Sequence, residues 1–242
     1  MKLVDMLTSE LPEYSVKLPS RETALSFRPF LVKEEKTLLL VAEEGNEHDI
    51  LRAIKNILNN CYKDLDLSDI SLGEAEYLFI KLREKSVNEN LELLYTEAST
   101  LKKTPVEIDL RKIKPPKRTK KTNKFQITEK ISVEMREITL PDIIREEIKI
   151  YKPSQDDIIK TLACMIDSVT IENQVLSKSD ISTKDKVEFI ESMTEAQFGK
   201  ISEYYSSAPS LEYKFTHTLT DGTEKEFELK GLNDFFGLVS PT

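Results

Sequence analysis

The spacing of apolar positions divides the chain into elements before any single residue is singled out. Residues 13–30 alternate apolar and polar on both sides of Pro19-Ser20, as two short strands of a hairpin do. From Leu31 the period changes. Glu34, Glu35 and Lys36 precede the run Leu38 to Val41, which predicts a helix ending near Gly45. Ile50, Leu51, Ile54, Ile57, Leu58 and Cys61 form a clean helical stripe over 48–61. A third helix is expected from about Leu72 to Ser86, burying Ala75, Leu78, Phe79 and Leu82 and turning Lys81, Arg83 and Lys85 to solvent. Two extended runs follow, Leu91–Tyr95 and Val106–Leu110.

The second half repeats this order of elements. Phe125–Thr139 alternates as a pair of strands. Ser154 with Asp157, and Thr194 with Gln197, have the spacing of capping boxes. The helix opened at Ser154 is expected to bury Ile158, Ile159, Leu162, Ala163, Met165, Ile166 and Val169. The one opened at Thr194 holds Phe198, Ile201 and Tyr205, and between them Ser182 precedes Val187, Phe189, Ile190 and Met193. Leu211, Tyr213, Phe215, His217 and Leu219 share one face of a terminal hairpin, turning at Asp221-Gly222, with Phe227 and Leu229 on the returning strand. Helices beside small antiparallel sheets or hairpins in both halves make the class α+β.

Charge changes this picture at one place. Arg111–Lys124 carries eight basic residues, no acidic ones and Pro115-Pro116, which reads as an exposed loop or linker between residues 1–110 and 125–242. The chain has 35 basic and 43 acidic residues. Without those eight, 27 basic residues face the 43, so the body stands at −16. A polyanion would be repelled by such a body, and the segment offers no aromatic for base stacking, so it reads as a solvated loop or a dock for an acidic protein. Nucleic acid binding through Lys117, Arg118, Lys120 and Lys121 is the weaker alternative.

Catalytic chemistry finds little to work with. The two histidines, His48 and His217, lack a motif around them, and the six glycines form no phosphate-cradling loop. Cys61 and Cys164 lie far apart in apolar helical contexts and read as buried free thiols of a reducing compartment. Two cysteines and two histidines without close spacing do not make a zinc site. No window approaches 18 consecutive apolar residues and the first residues do not resemble a secretory signal, so a cytosolic protein is expected, with no cofactor, no membrane partner and no small-molecule substrate.

Three segments invite a partner. Arg28 and Phe30 flank a strand–helix junction, where they either anchor another protein or serve the fold, Phe30 stapling the helix start and Arg28 pairing with a local carboxylate. Lys117 and Arg118 lie in the basic run. Phe235 and Phe236, in Gly231–Gly237, either cover the end of the core or form an exposed apolar patch awaiting another subunit.

Taken in order, Leu18–Ser20, Phe27–Lys36, Ile57–Cys61 and Tyr77–Ser86 resemble the baseplate hub assembly proteins of T-even-type contractile-tailed bacteriophages. The likeness continues through Phe189–Thr194, Gln197-Phe198, Tyr204-Tyr205, Pro209–Leu211 and Gly231–Gly237, so it runs from about residue 14 to 238. The resemblance implies a virus-encoded factor that helps build the central hub of the tail baseplate by binding other tail or baseplate hub proteins. It would act in the host cytoplasm, or stay in the virion if it is a permanent subunit. It transfers no catalytic motif. Relatives in the broad group can carry cysteine pairs at hairpins, and the matching stretches here, around Tyr95–Thr104 and Leu219–Thr223, have none.

Overall fold

A computed structural model describes residue 7 and residues 10–96, 103–118, 122–219 and 222–236. Apart from residue 7, the described residues form ten strands, eight helices and one 3-10 turn, an α+β arrangement as the alternation predicts. They fall into two compact units that do not follow chain order. One gathers residues 1–66, 73–116 and 210–242; the other gathers 67–72 and 117–209. One boundary falls between Pro116 and Lys117, and the described residues from 210 onward belong with the first unit.

In the first unit, β1 (Tyr14–Val16) and β2 (Leu25–Phe27) form the expected antiparallel hairpin. Helix α1 (Val32–Glu44) is held at its start by the Glu34 carboxylate, which accepts the Leu31 N–H at 2.6 Å, and it stops at Gly45, whose φ of 71° only glycine adopts cheaply. Asn46 caps α2 (Glu47–Cys61) by accepting the N–H groups of His48 and Asp49, and the anticipated stripe from Ile50 to Cys61 is buried.

Helix α3 (Leu72–Ser86) has the expected bounds but not the expected solvent face. Glu74, Glu76, Tyr77, Ile80 and Glu84 are buried together with the apolar stripe. Lys81 reaches inward, donating to Glu84 at 2.7 Å and to the Leu110 carbonyl at 3.2 Å, and Arg83 is only partly exposed. Periodicity misses this because each acid has found a donor inside the fold. The Ser20 N–H serves Glu74, the Leu232 N–H serves Glu76, and Lys81 and Lys85 serve Glu84.

Strands β3 (Asn90–Thr96) and β4 (Lys103–Asp109) pair antiparallel, and Leu110 begins a 3-10 turn instead of ending the strand. The terminal hairpin joins β9 (Glu212–Thr218) to β10 (Glu224–Lys230), with Phe227 directly opposite Phe215. Asp221 of its anticipated turn lies outside the described residues, while Gly222 takes φ 84°. Helix α8 (Gly231–Phe236) follows, burying Leu232 and Phe235.

In the second unit, β5 (Lys124–Gln126), β6 (Ile131–Met135), β7 (Ile166–Ile171) and β8 (Gln174–Ser177) form an antiparallel sheet in chain order. Both capping boxes are present. Ser154 opens α5 (Gln155–Met165) and Thr194 opens α7 (Glu195–Ser206), while Thr139 opens α4 (Leu140–Arg145) and Ser182 opens α6 (Thr183–Glu191). The expectation that the Ser154 helix carries Ile166 and Val169 fails. It ends at Met165, and both residues belong to β7, where Val169 faces Val133 across the ladder. Ile166, Val169 and Ile171 are β-branched, and a strand places their side chains against neighbours better than a further helical turn.

Candidate docking groove

The basic segment is not a free loop along its described length. Ile113 and Pro116 are buried, because each has apolar surface that the flanking lysines cannot shield. Arg111 pairs with Asp109 and Glu89, and Lys124 with Glu134. Arg118 is fully engaged: it forms a bidentate pair with Glu137, donates to the Tyr204 carbonyl at 3.0 Å and to Ser207 at 2.8 Å, and stacks 3.6 Å over the Tyr204 ring. A guanidinium spent this way fastens its own fold. Lys117 is exposed; Lys120 and Lys121 lie outside the described residues.

Arg28 is spent locally as well. Its two terminal nitrogens donate to the two Glu34 oxygens at 2.8 and 3.0 Å, and the carboxylate also holds the first turn of α1. Burial alone would raise the Glu34 pKa, but these donors outweigh it and hold the group below the usual range.

Among the depressions of the described surface, three differ in chemistry. The first, about 590 Å³, runs past Glu13, Tyr14, Lys17, Lys81 and Lys85, and the last two lysines are paired to Glu84. The second, about 400 Å³, lies in the other unit around Arg136, Asp142, Arg145 and Lys186. There Asp142 takes both arginines at 2.8 Å, and the buried Lys186 ammonium caps the Ile166 carbonyl at 3.0 Å. Desolvation lowers the Lys186 pKa, with the nearby Arg136 charge adding to it. Most of the charges in both depressions hold elements together: Lys81 and Lys85 on Glu84, Arg136 and Arg145 on Asp142, and Lys186 on the Ile166 carbonyl.

The third is different in kind. A groove of about 510 Å³ in the first unit is lined by α1 (Leu38, Leu39, Ala42), the end of α3 (Phe79, Arg83), β3 (Leu91–Leu94) and α8, with Phe30 at its margin. It brings Phe30, Phe235 and Phe236 together, as their separate places in the sequence do not suggest. Phe235 is fully buried in the floor and is not an exposed anchor; the small α8 helix turns it inward beside Leu232. Phe236 is partly exposed, edge-on to Phe79 with ring centres 5.8 Å apart. Around it Leu39, Val87 and Leu94 are 58%, 51% and 64% exposed. Apolar residues of that size converging on one concavity are the mark of a surface made to be covered.

Sequence reasoning missed most of this lining. Four consecutive apolar residues, Leu38 to Val41, are more than one buried helix face can use, and α1 buries only Glu34 completely. That surplus was the available signal. Arg83, expected in solvent, sits with its guanidinium 5.5 Å from the centre of the Phe236 ring.

The thiols offer no nucleophile. Cys61 and Cys164 are free and buried, as expected, and burial pushes their pKa values up to about 12 and about 11, so both are protonated at neutral pH. Nδ1 of His48 and Nε2 of His217 are buried without a hydrogen-bond partner among the described residues. Among the described residues no three His, Cys, Asp or Glu side chains are grouped to hold a metal, and no helix is long and apolar enough to cross a membrane.

The family model described as T4 bacteriophage base plate protein matches residues 11–237. The chain belongs to that family. It is a T4-type baseplate protein, which gives the apolar groove a setting: a baseplate is built from proteins that bind one another. No curated protein and no solved structure matches the chain. Membership favours a structural or assembly role over catalysis and connects the protein with other baseplate proteins.

Proposed function

We propose that this baseplate protein assists assembly of the central hub by binding other tail or hub proteins, in the host cytoplasm, through the groove bounded by α1, α3, β3 and α8. The observation that carries the reading is the cluster of exposed Leu39, Val87 and Leu94 beside Phe30 and Phe236 in one concavity. Its size suits reversible capture of a partner segment better than a permanent subunit interface. The acidic body supports the same reading, since it keeps the molecule soluble and speeds encounter with basic surfaces of a client.

Co-expression with hub and tape-measure proteins tests the proposal. A soluble complex should form, and Phe30→Ala and Phe236→Ala should weaken it roughly tenfold while leaving the unfolding temperature near that of the parent. Normal binding by both variants rejects the groove. Quantitative mass spectrometry of purified particles then separates assembly factor from permanent subunit, the former being absent or substoichiometric.

A further inference from the structure

Arg83 is the cation of the groove. It projects from the last turn of α3, partly buried, and lies over the Phe236 ring. Its one hydrogen bond within the described residues is a long one, 3.4 Å to the Asn88 carbonyl. No described carboxylate comes within 4 Å of it. Burial lowers its pKa, and the charge of Glu35, at a greater distance, only partly offsets this. Three other partly buried arginines behave differently: Arg28 holds Glu34, Arg118 holds Glu137 and Arg136 holds Asp142.

A guanidinium has five N–H donors in a planar fork that matches a carboxylate, and partial burial against an aromatic face strengthens such a pair by weakening solvent screening. Here the fork opens on a concavity whose other walls are leucine, valine and phenylalanine. Glu35, partly exposed, and Glu92, well exposed, stand among those walls too; neither forms an ion pair with Arg83, and water screens Glu92 most.

We infer that the groove takes a segment of a partner protein presenting apolar side chains and, beside them, one carboxylate that pairs with Arg83. The inference rests on the groove being the docking site and adds the partner's chemistry to it: an acidic amphipathic segment. The apolar side chains supply burial; the carboxylate sets register and orientation.

The test uses the full chain and three probes of equal tail length, octanoate, 1-octanol and octylammonium, titrated against methyl-labelled protein and followed by NMR at Leu39, Val87 and Leu94. Octanoate should bind roughly tenfold more tightly than either of the others, as a desolvated charge-assisted pair implies. Arg83→Met should bring octanoate down to the level of octanol without abolishing binding of the tail. Equal affinity for all three probes, or an octanoate preference that survives Arg83→Met, overturns the inference while leaving the groove as a docking site. Failure of all three probes to shift these methyls rejects the docking site itself. If octanoate binds only after residues 237–242 are deleted, the chain's own carboxy-terminal segment is the occupant and the partner assignment falls. The comparison of probes on the unaltered protein stands even if Arg83→Met does not fold.

Discussion

Glu76 lies enclosed in the first unit, where one of its oxygens accepts the Leu232 N–H at 3.2 Å at the start of α8. Burial raises its pKa to about 7, with Asp234 adding to the rise and the Leu232 N–H opposing it. The native state therefore keeps this proton up to about pH 7, whereas the unfolded chain loses it near 4.5. The group's contribution is most favourable below pH 4.5, declines as pH rises to about 7, and is constant beyond, a swing of about 3 kcal/mol. Glu76→Gln keeps the acceptor and removes the titration. Urea unfolding should find variant and parent similar at pH 4.5 and the variant more stable at pH 8; equal stability at both would show that Glu76 is not charged in the cost. Gly231 belongs to the same contact, since its φ is 60° and an added Cβ would stand 3.1 Å from the Glu76 oxygen.

Arg28 and Glu34 titrate in the opposite sense. Glu34 is held below its ordinary pKa, so the pair stabilises the fold above that value and the gain is lost as pH falls. Arg28→Met leaves a buried carboxylate with little more than the Leu31 N–H, at a cost of about 2–3 kcal/mol at neutral pH. Arg28→Met with Glu34→Leu should recover most of that loss in chemical unfolding, because it removes the stranded charge. A double variant as unstable as the single one would mean that Arg28 acts through packing instead.

At the level of elements, Phe235 and Phe236 show what a single helical turn can separate. Phe235 is wholly enclosed, and Phe235→Ala should cost about 3–5 kcal/mol in unfolding free energy. Phe236 rests on Phe79 and under Arg83 with part of its ring in water, so Phe236→Ala should cost far less stability and mainly weaken partner capture. A pair of equal losses would contradict the placement of α8. The sequence holds two adjacent phenylalanines and cannot say which points inward, since that depends on how Gly231 and Glu76 seat the helix. Elements whose boundaries are written in side-chain chemistry were legible: Ser154 and Thr194 mark helix starts because a short acceptor there satisfies N–H groups the helix leaves open. β7 was not, because Met165 and Ile166 continue an apolar run that suits a helix or a strand equally. Nor was the polar burial of α3, whose acids look solvent-facing until their donors arrive from distant parts of the chain.

Across the whole molecule, chain order hides the grouping of elements. The terminal segment 210–236 is integral to the first unit: Leu211 and Phe235 are fully buried, Leu232 nearly so, and the Gly231 N–H returns to the Leu211 carbonyl at 2.9 Å. Alternation along the terminal hairpin predicts its strands but carries no address for the surface they cover. The same topology explains why the groove's lining was only partly foreseen: Phe30, Leu39, Arg83 and Leu94 lie within residues 30–94, and only the return of the terminal segment adds Phe236 to them. A stop codon after Pro209 makes the grouping testable. It removes three buried side chains whose individual deletions cost about 2–5 kcal/mol, together comparable to the whole stability of a domain. Hydrogen exchange on the shortened chain should show α2 and α3 losing protection while β6, β7 and α5 keep theirs. Protection retained in α2 and α3 would mean that the amino-terminal elements form a core without the tail, and the groove with its α8 wall would then be an appendage instead of a product of that core.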